Sequence, residues 1–461
     1  MNQRHRQGLA QRRQHVHDKI IVGIDPAKDR QHAQLLDPAG LPVGSTFSFS
    51  NTFNGFQHTL WKQLRRRLRT AYPELARGPR AVLVNHLVFA LEVSCNLWQP
   101  LRDYLQEQGM TVVLVSPLAT CHARPSKSGN FSRTDPKDAY LIADLARDGS
   151  FHQPQDYGPH AEALHRLSIT YDKLRKDRQR HYARLRAQIE QLFPEFLRVL
   201  RLHSRTARHL LKQYLVAEDY LRLSIDSEAA ALMAISRNQH GRDTLLKLQT
   251  LARGSIGIKV HGQQIKAHRL TREAWLALID ATETQLKAVE TELIHLAQQT
   301  PYHAPLLSLK GISSLLAALL IAEVRDPSRV RHWKQLERLA GYTLFVSDSG
   351  RYKGRRRVSH LGNARLRWIL YQMTSETSKY IPEVRCKYLR RRLSGSSNRN
   401  KNLCAALPKL LGLIVALWRD ERSYTLDQQA QFELHRLEAR LEDRLAKPPR
   451  RDHKASKRIA P

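Results

Sequence analysis

Apolar residues fall in short runs over the first third of the chain and at heptad spacing beyond it. Residues 19–25, 31–36 and 43–49 predict three consecutive short strands. Residues 53–71 and 97–108 carry helical spacing, residues 80–84 and 111–116 read as further strands, and residues 135–147 as a closing helix. Three strands followed by alternating helix and strand predict an α/β layer domain over residues 19–150. Residues 1–18 are basic, lack an apolar run and are expected to form a disordered arm.

From residue 151 to 300 the period changes. Leu164, Leu167, Tyr171, Leu174, Leu185 and Leu192 occupy a and d positions, with Arg178 interrupting the series. Trp275, Ile279, Leu286, Val289, Leu293 and Leu296 repeat the pattern. Two long helices with one seam each predict an antiparallel hairpin, a coiled coil between chains, or two seams packed inside one bundle. Residues 200–268 between them mix helical and polar stretches. Residues 301–425 read as a second helical domain. It opens on Leu309-Lys310-Gly311-Ile312, a helix-hairpin-helix-like turn whose backbone N–H groups would face a phosphate, with Lys310 and Gly311 at the contact. Residues 426–461 read as a charged helix and a basic tail. The predicted class is thus α/β followed by all-α, with long coiled-coil helices between.

Charge narrows the partners. The chain has 461 residues, of which 76 are Lys or Arg and 42 Asp or Glu, for a formal charge of +34. Such a protein repels itself unless it meets a polyanion, and phosphate backbones are the usual one. The apolar stretches 315–322 and 410–418 are too short to span a bilayer, so no membrane partner is expected. The first nineteen residues lack the apolar stretch of a secretory signal. Cys95, Cys121, Cys386 and Cys404 show no paired metal spacing and read as reduced thiols of a cytoplasmic protein.

Four carboxylates stand at telling places. Asp25 ends the run Ile20-Ile21-Val22-Gly23-Ile24, and Glu92 ends the run through Phe89-Ala90-Leu91. Asp135 and Asp138 lie in Thr134-Asp135-Pro136-Lys137-Asp138-Ala139, at the start of a helical pattern, and their spacing puts both on one helix face. A carboxylate at the end of a buried strand is costly unless it holds something positive. Two-metal phosphodiester chemistry needs several carboxylates converging on ions roughly 3.5–4 Å apart, and hard oxygen donors suit Mg²⁺ or Mn²⁺. Each also has a structural reading: Asp135 as an N-cap, Asp138 as a first-turn acid, Asp25 as a turn former. Glu92 has none as simple.

The second constellation runs from Ser347 to Arg367. Between Arg351 and Asn402 stand fifteen Lys or Arg and two acids, Glu376 and Glu383, the densest positive segment of the chain. Arg351, Lys353, Arg355, Arg356, Arg357, Arg365 and Arg367 are its candidate phosphate contacts, with binding expected to weaken steeply in salt. Ser349, beside Gly350, is a candidate nucleophile, since arginines stabilise a pentavalent phosphorus centre. Ser-Gly pairs are more often plain turns, and Ser347 is a second candidate.

In order along the chain stand Gly23-Ile24-Asp25, Glu92, Thr134-Asp135-Pro136-Lys137-Asp138-Ala139, the heptads, Leu309-Lys310-Gly311-Ile312, Ser349-Gly350 and Gly362-Asn363-Ala364-Arg365-Leu366-Arg367. This order resembles the IS110/IS1111 family of insertion-sequence transposases, the DEDD recombinases, over roughly residues 19–150 and 301–375. The resemblance implies an RNase H/RuvC-like N-terminal domain whose metal set is Asp25, Glu92, Asp135 and Asp138. It implies a C-terminal transposase domain in which Ser349 becomes covalently joined to DNA, and a composite site, within a dimer or tetramer held by the coiled coil. It also implies a structured guide RNA encoded by the element, which leaves the protein mostly backbone contacts. The setting would be the nucleoid of a bacterium or archaeon. Two places depart from the pattern: Glu92 is followed by Val93-Ser94-Cys95 without a glycine, and residues 341–345 lack the proline expected before the serine. Rival readings are a RuvC-like nuclease or junction resolvase that uses water, and a non-catalytic nucleic-acid-binding protein.

Overall fold

The N-terminal segment is not a disordered arm but helix α1 (Gln3–Val16). Arg12 Nε donates to the Gly149 carbonyl (2.7 Å) and Arg13 Nε to that of Asp148 (3.1 Å), so its basic side chains satisfy carbonyls after a later helix. Val16 is buried with the core below. The computed structural model describes residues 3–94, 96–128, 135–345, 348–349, 352–353 and 357–446. Cys95 and the basic tail from residue 447 lie outside them. The chain divides into two compact units, Met1–Asp156 and Tyr157–Pro461.

The first unit is a five-stranded mixed sheet with helices, the RNase H-like arrangement. Strands β1 (Ile20–Asp25), β2 (Arg30–Leu36) and β3 (Phe47–Ser50) form an antiparallel meander. Helices α2 (Leu60–Ala71), α3 (Pro73–Arg77) and α4 (Arg80–Leu83) lead to β4 (Leu87–Glu92). Then come α5 (Trp98–Glu107), β5 (Thr111–Val115), α6 (Pro117–Ser128) and α7 (Asp135–Arg147). The strand order is β3-β2-β1-β4-β5, with β1, β4 and β5 parallel.

Two strand expectations need correction. Residues 80–83 form a helical turn, and the fourth strand is the next apolar run, Leu87–Glu92. Val82 is exposed, whereas Leu87 to Leu91 are buried throughout, as a strand covered on both faces requires. The third strand starts only at Phe47, because Gly44, at a φ of 71°, turns the chain within residues 43–46. One face of the sheet packs Leu60, Leu64, Leu68, Leu101 and Leu105 of α2 and α5. The other packs Ile142, Ala143 and Ala146 of α7. A Cβ at Gly23 would stand 2.2 Å from the Ala139 carbonyl oxygen and 2.6 Å from Ala143 N. Glycine there lets α7 lie directly on β1.

The second unit is helical. Helices α8 (Gly158–Leu192) and α14 (Gln263–Gln298) are the two heptad segments. They run antiparallel within one chain: His160 meets the Leu296 carbonyl, Tyr182 Oη donates to Glu283, and Gln188 Nε2 donates to the His268 carbonyl. Between them α9 (Phe196–Val199), α10 (Arg205–Gln213), α11 (Ala217–Leu221), α12 (Ile225–Ser236) and α13 (Arg242–Arg253) build a small bundle. This insertion packs Phe193, Phe196, Tyr220 and Leu248 against Leu185, Ile189, Leu276 and Ile279, closing the hairpin's far end over its own core.

The hairpin's near end shares a core with the segments that follow. Leu164, Tyr171, Leu286 and Leu293 pack with α16 (Ser314–Val324), which follows α15 (His303–Leu307) and precedes α17 (Trp333–Leu339). A narrow ribbon then leaves the bundle as β6 (Leu344–Phe345), β7 (Asp348–Ser349), β8 (Tyr352–Lys353) and β9 (Arg357–Val358). Helices α18 (Ala364–Thr377), α19 (Pro382–Leu393), α20 (Arg399–Asp420) and α21 (Gln428–Ala446) complete the unit. Among the described residues α20 alone is long and apolar enough to cross a bilayer, but Leu403, Leu407, Leu410 and Ile414 lie in the shared core.

Candidate active site

The register of the sheet places the first two carboxylates. Strands β1 and β4 are parallel neighbours with Ile24 opposite Leu91, so Asp25 and Glu92 end the pair side by side. Both are half-buried. Helix α7 crosses β1 at Gly23, and Asp138 lies in its first turn, beside the Ala139 that meets that glycine. Asp135 opens the same helix, with Pro136 in the first turn where its missing N–H costs nothing. The side chain of Asp135 lies outside the described residues.

Helix α6 supplies two partners that sequence reading missed. Thr120 Oγ1 donates to Glu92 Oε1. Arg124 donates to Asp138 Oδ1 through Nε (3.1 Å) and a terminal nitrogen (2.7 Å). The Arg124 and Asp138 side chains are only 16% and 20% exposed. Among the described residues, no three His, Cys, Asp or Glu side chains gather closely enough to enclose a metal ion. The donor set nonetheless fits a hard divalent cation: its members are carboxylate oxygens, and a cationic group already sits against Asp138. The sequence reading placed no helix over residues 117–128, so the i, i+4 spacing of Thr120 and Arg124 gained meaning only once α6 was seen.

The candidate serine lies on the ribbon. Its stem pairs Leu344 with Val358 and Phe345 with Arg357; its outer part pairs Asp348 with Lys353 and Ser349 with Tyr352. Ser349 is therefore the last strand residue before the connection to β8. The side chains of Ser349 and Lys353, and all of Ser347, Arg351, Arg355 and Arg356, lie outside the described residues. Arg357 is exposed at the stem.

The ribbon's base is fixed by a buried carboxylate. Glu323 of α16, with no side-chain exposure, accepts from Ser168 Oγ (2.7 Å), Asn363 Nδ2 (2.5 Å) and Arg365 Nε (2.7 Å). Burial raises its pKa, but the hydrogen bonds from Arg365, Ser168 and Asn363 outweigh this and hold it below the ordinary carboxylate value. Asn363 Oδ1 also caps α18 by accepting from Arg365 N and Leu366 N. Arg367 donates to the carbonyls of Ala340 (2.9 Å) and His360 (3.3 Å). Two of the expected phosphate contacts, Arg365 and Arg367, thus have partners inside the domain.

At the hairpin-like turn, Lys310 is exposed and stands 5.0 Å from the centre of the Tyr380 ring. Gly311 takes a φ of 103° and approaches the Glu376 backbone so closely that a Cβ would lie 3.1 Å from it. Ser313 caps α16 by accepting from Leu316 N.

Comparison with known proteins covers both regions of the chain. A transposase model of the DEDD IS110 type matches residues 22–194, and a model described as "Transposase IS116/IS110/IS902 family" matches residues 303–389. The chain is 25% identical over 412 residues to the "Insertion element IS116 uncharacterized 44.8 kDa protein" of Streptomyces clavuligerus, covering 89% of this chain and 97% of that relative.

Proposed function

Given that the chain belongs to the IS110 family of transposases, whose reaction is phosphoryl transfer on DNA, we propose that it cuts and rejoins DNA with a divalent-metal site and a serine nucleophile. The observation that carries this reading is the register of β1 on β4, which pairs Asp25 with Glu92 at the sheet end that α7 crosses with Asp135 and Asp138. These four residues would hold Mg²⁺ or Mn²⁺. When bound, the ions would polarise the scissile phosphate and offset the charge that builds on its oxygens.

Ser349 Oγ would attack phosphorus. The P–Oγ bond forms, the P–O bond to the leaving strand breaks, and the serine proton passes to a base. The resulting phosphoserine conserves the bond for rejoining. The Glu323–Asn363–Arg365 network supports this role by fixing where the ribbon leaves the bundle. Arg357 and Lys310, both exposed, would contact backbone phosphates together with the ribbon's other cations. A structured RNA encoded by the element would read the sequence by base pairing, consistent with a +34 chain suited to backbone contacts. Protomers would assemble as a dimer or tetramer. Because the two heptad seams are buried against each other and the shared core, assembly would use other faces.

The test is a covalent adduct. The protein is incubated with element-end DNA, the candidate RNA and Mg²⁺, denatured, and run to reveal a shifted protein–DNA band. Asp25→Asn should abolish cleavage by at least about 10³-fold. Ser349→Ala should abolish the adduct and leave RNA binding intact. An adduct that survives Ser349→Ala but not Ser347→Ala moves the nucleophile to Ser347. Cleavage without any adduct in the wild type would point to water as nucleophile and end the serine proposal.

A further inference from the structure

We propose that α6 is a two-point clamp on the carboxylate site, in which Arg124 stands where a divalent cation must compete and Thr120 holds Glu92. This inference rests on the divalent-metal reading of the site. Thr120 and Arg124 are one helical turn apart and share a face of α6. From that face one reaches the end of β4 and the other the first turn of α7. The clamp therefore grips both walls of the site.

Competition follows from the atoms. The two bonds that Arg124 makes to Asp138 both fall on Oδ1. An oxygen that accepts two N–H groups has little lone-pair capacity left for a cation, and a guanidinium repels that cation. Loading the site through Oδ1 must therefore turn Arg124 away from Asp138, and an ion at Oδ2 would still meet the charge of the guanidinium.

The helix is built to give way. Among its described side chains Ala119 and Ala123 pack against the sheet-side core, while Leu118, its largest apolar side chain, is half exposed. Pro125 inside the helix removes one backbone hydrogen bond. With so little apolar burial among the described side chains, polar contacts such as these two carry much of the docking. Arg124 and Thr120 thus occupy Asp138 and Glu92, and shield the carboxylates from one another, until an ion arrives and displaces them.

The experiment measures Mg²⁺ affinity of the full chain by calorimetry without nucleic acid, alongside amide hydrogen exchange of residues 117–128. Arg124→Gln should bind Mg²⁺ about three- to tenfold more tightly, Arg124→Lys near the wild type, and Thr120→Val about twofold more tightly. In the wild type, adding Mg²⁺ should lower the protection of α6 amides and leave α7 unchanged. If Arg124→Gln does not fold, Thr120→Val and the wild-type exchange decide. Unchanged or weaker affinity in the variants, or α6 protection indifferent to Mg²⁺, overturns the clamp and leaves the metal reading standing. If neither wild type nor variants bind Mg²⁺ or Mn²⁺, the metal reading itself falls and the clamp with it.

Discussion

Two groups of carboxylates in this chain are held in opposite ways. Glu323 is sealed in the helical unit, and hydroxyl, amide and guanidinium donors take up its oxygens. Asp25, Glu92 and Asp138 stand half-buried at the ends of parallel strands and the start of a helix. There a threonine and an arginine from one short helix engage Glu92 and Asp138. A structural carboxylate is saturated by partners that cannot leave without breaking the core. A carboxylate that is to hold a metal ion, as proposed for this second group, needs partners that can be exchanged. Position decides which: the last turn of a buried apolar helix for Glu323, the C-terminal ends of two parallel strands for Asp25 and Glu92, and the first turn of a helix for Asp138.

The comparison breaks if both groups respond alike to removal. Glu323→Ala leaves Arg365 without its buried partner and frees the amide of Asn363, and should cost about 3–5 kcal/mol of stability. Asp138→Asn should cost about 1 kcal/mol or less while removing cleavage, because its partner Arg124 lies on a lightly packed helix. Chemical denaturation of each variant, with cleavage measured in parallel, checks the pair. Equal stability losses would show that Asp138 is as structural as Glu323.

A smaller effect sharpens the same contrast. Gly23→Ala puts a methyl 2.2 Å from the Ala139 carbonyl, and α7 must lift from β1. The cost should be about 1–3 kcal/mol, with the larger consequence that Asp138 is displaced from Asp25. Mg²⁺ affinity should fall more than stability does, as read by calorimetry and thermal melts on one preparation. A variant that loses stability but keeps its affinity would show that the α7 crossing does not place Asp138.

Much of this was legible in the chain. Asp25 and Glu92 announced themselves by ending apolar runs, and Gly23 by interrupting one. The heptads gave the two long helices, although their spacing alone did not say that the seams would meet within one chain. That outcome depends on Leu164 and Leu293 finding α16, a contact far apart in sequence. The fourth strand was misplaced because residues 80–84 and 87–91 are both short apolar runs. Only burial on two faces separates them. Arg12 and Arg13 read as part of an unstructured arm because their partners are main-chain carbonyls more than a hundred residues away. Glu323 escaped notice although it is the one acid in Ser314–Val324, a position that demands buried donors. Those donors, Ser168 in α8 and Asn363 at the cap of α18, come from distant parts of the chain and leave no local pattern.

The smallest effect is the dependence on pH. Burial raises the Glu323 pKa, but bonds from Arg365, Ser168 and Asn363 hold it below the ordinary carboxylate range. A carboxyl whose folded pKa is depressed stabilises the fold fully above its unfolded pKa, and that contribution is lost as pH falls through the folded value. His165 Nδ1 stands 4.0 Å from the same carboxylate. Burial, and next the charge of Arg325, lower the His165 pKa, with Glu323 pulling the other way. A histidine lowered on folding costs stability as pH falls from the ordinary imidazole range toward its folded value. Acid should therefore weaken the helical unit in two stages, His165 first and Glu323 below the ordinary carboxylate range. Thermal melts from neutral to acid pH should show Glu323→Gln less stable than the wild type at neutrality. That gap should narrow by about 1 kcal/mol across the second stage. A gap that stays constant through the acid range would mean that the protonation of Glu323 is not coupled to folding. The contrast between its saturated site and the exchangeable carboxylates of the sheet edge would then fail.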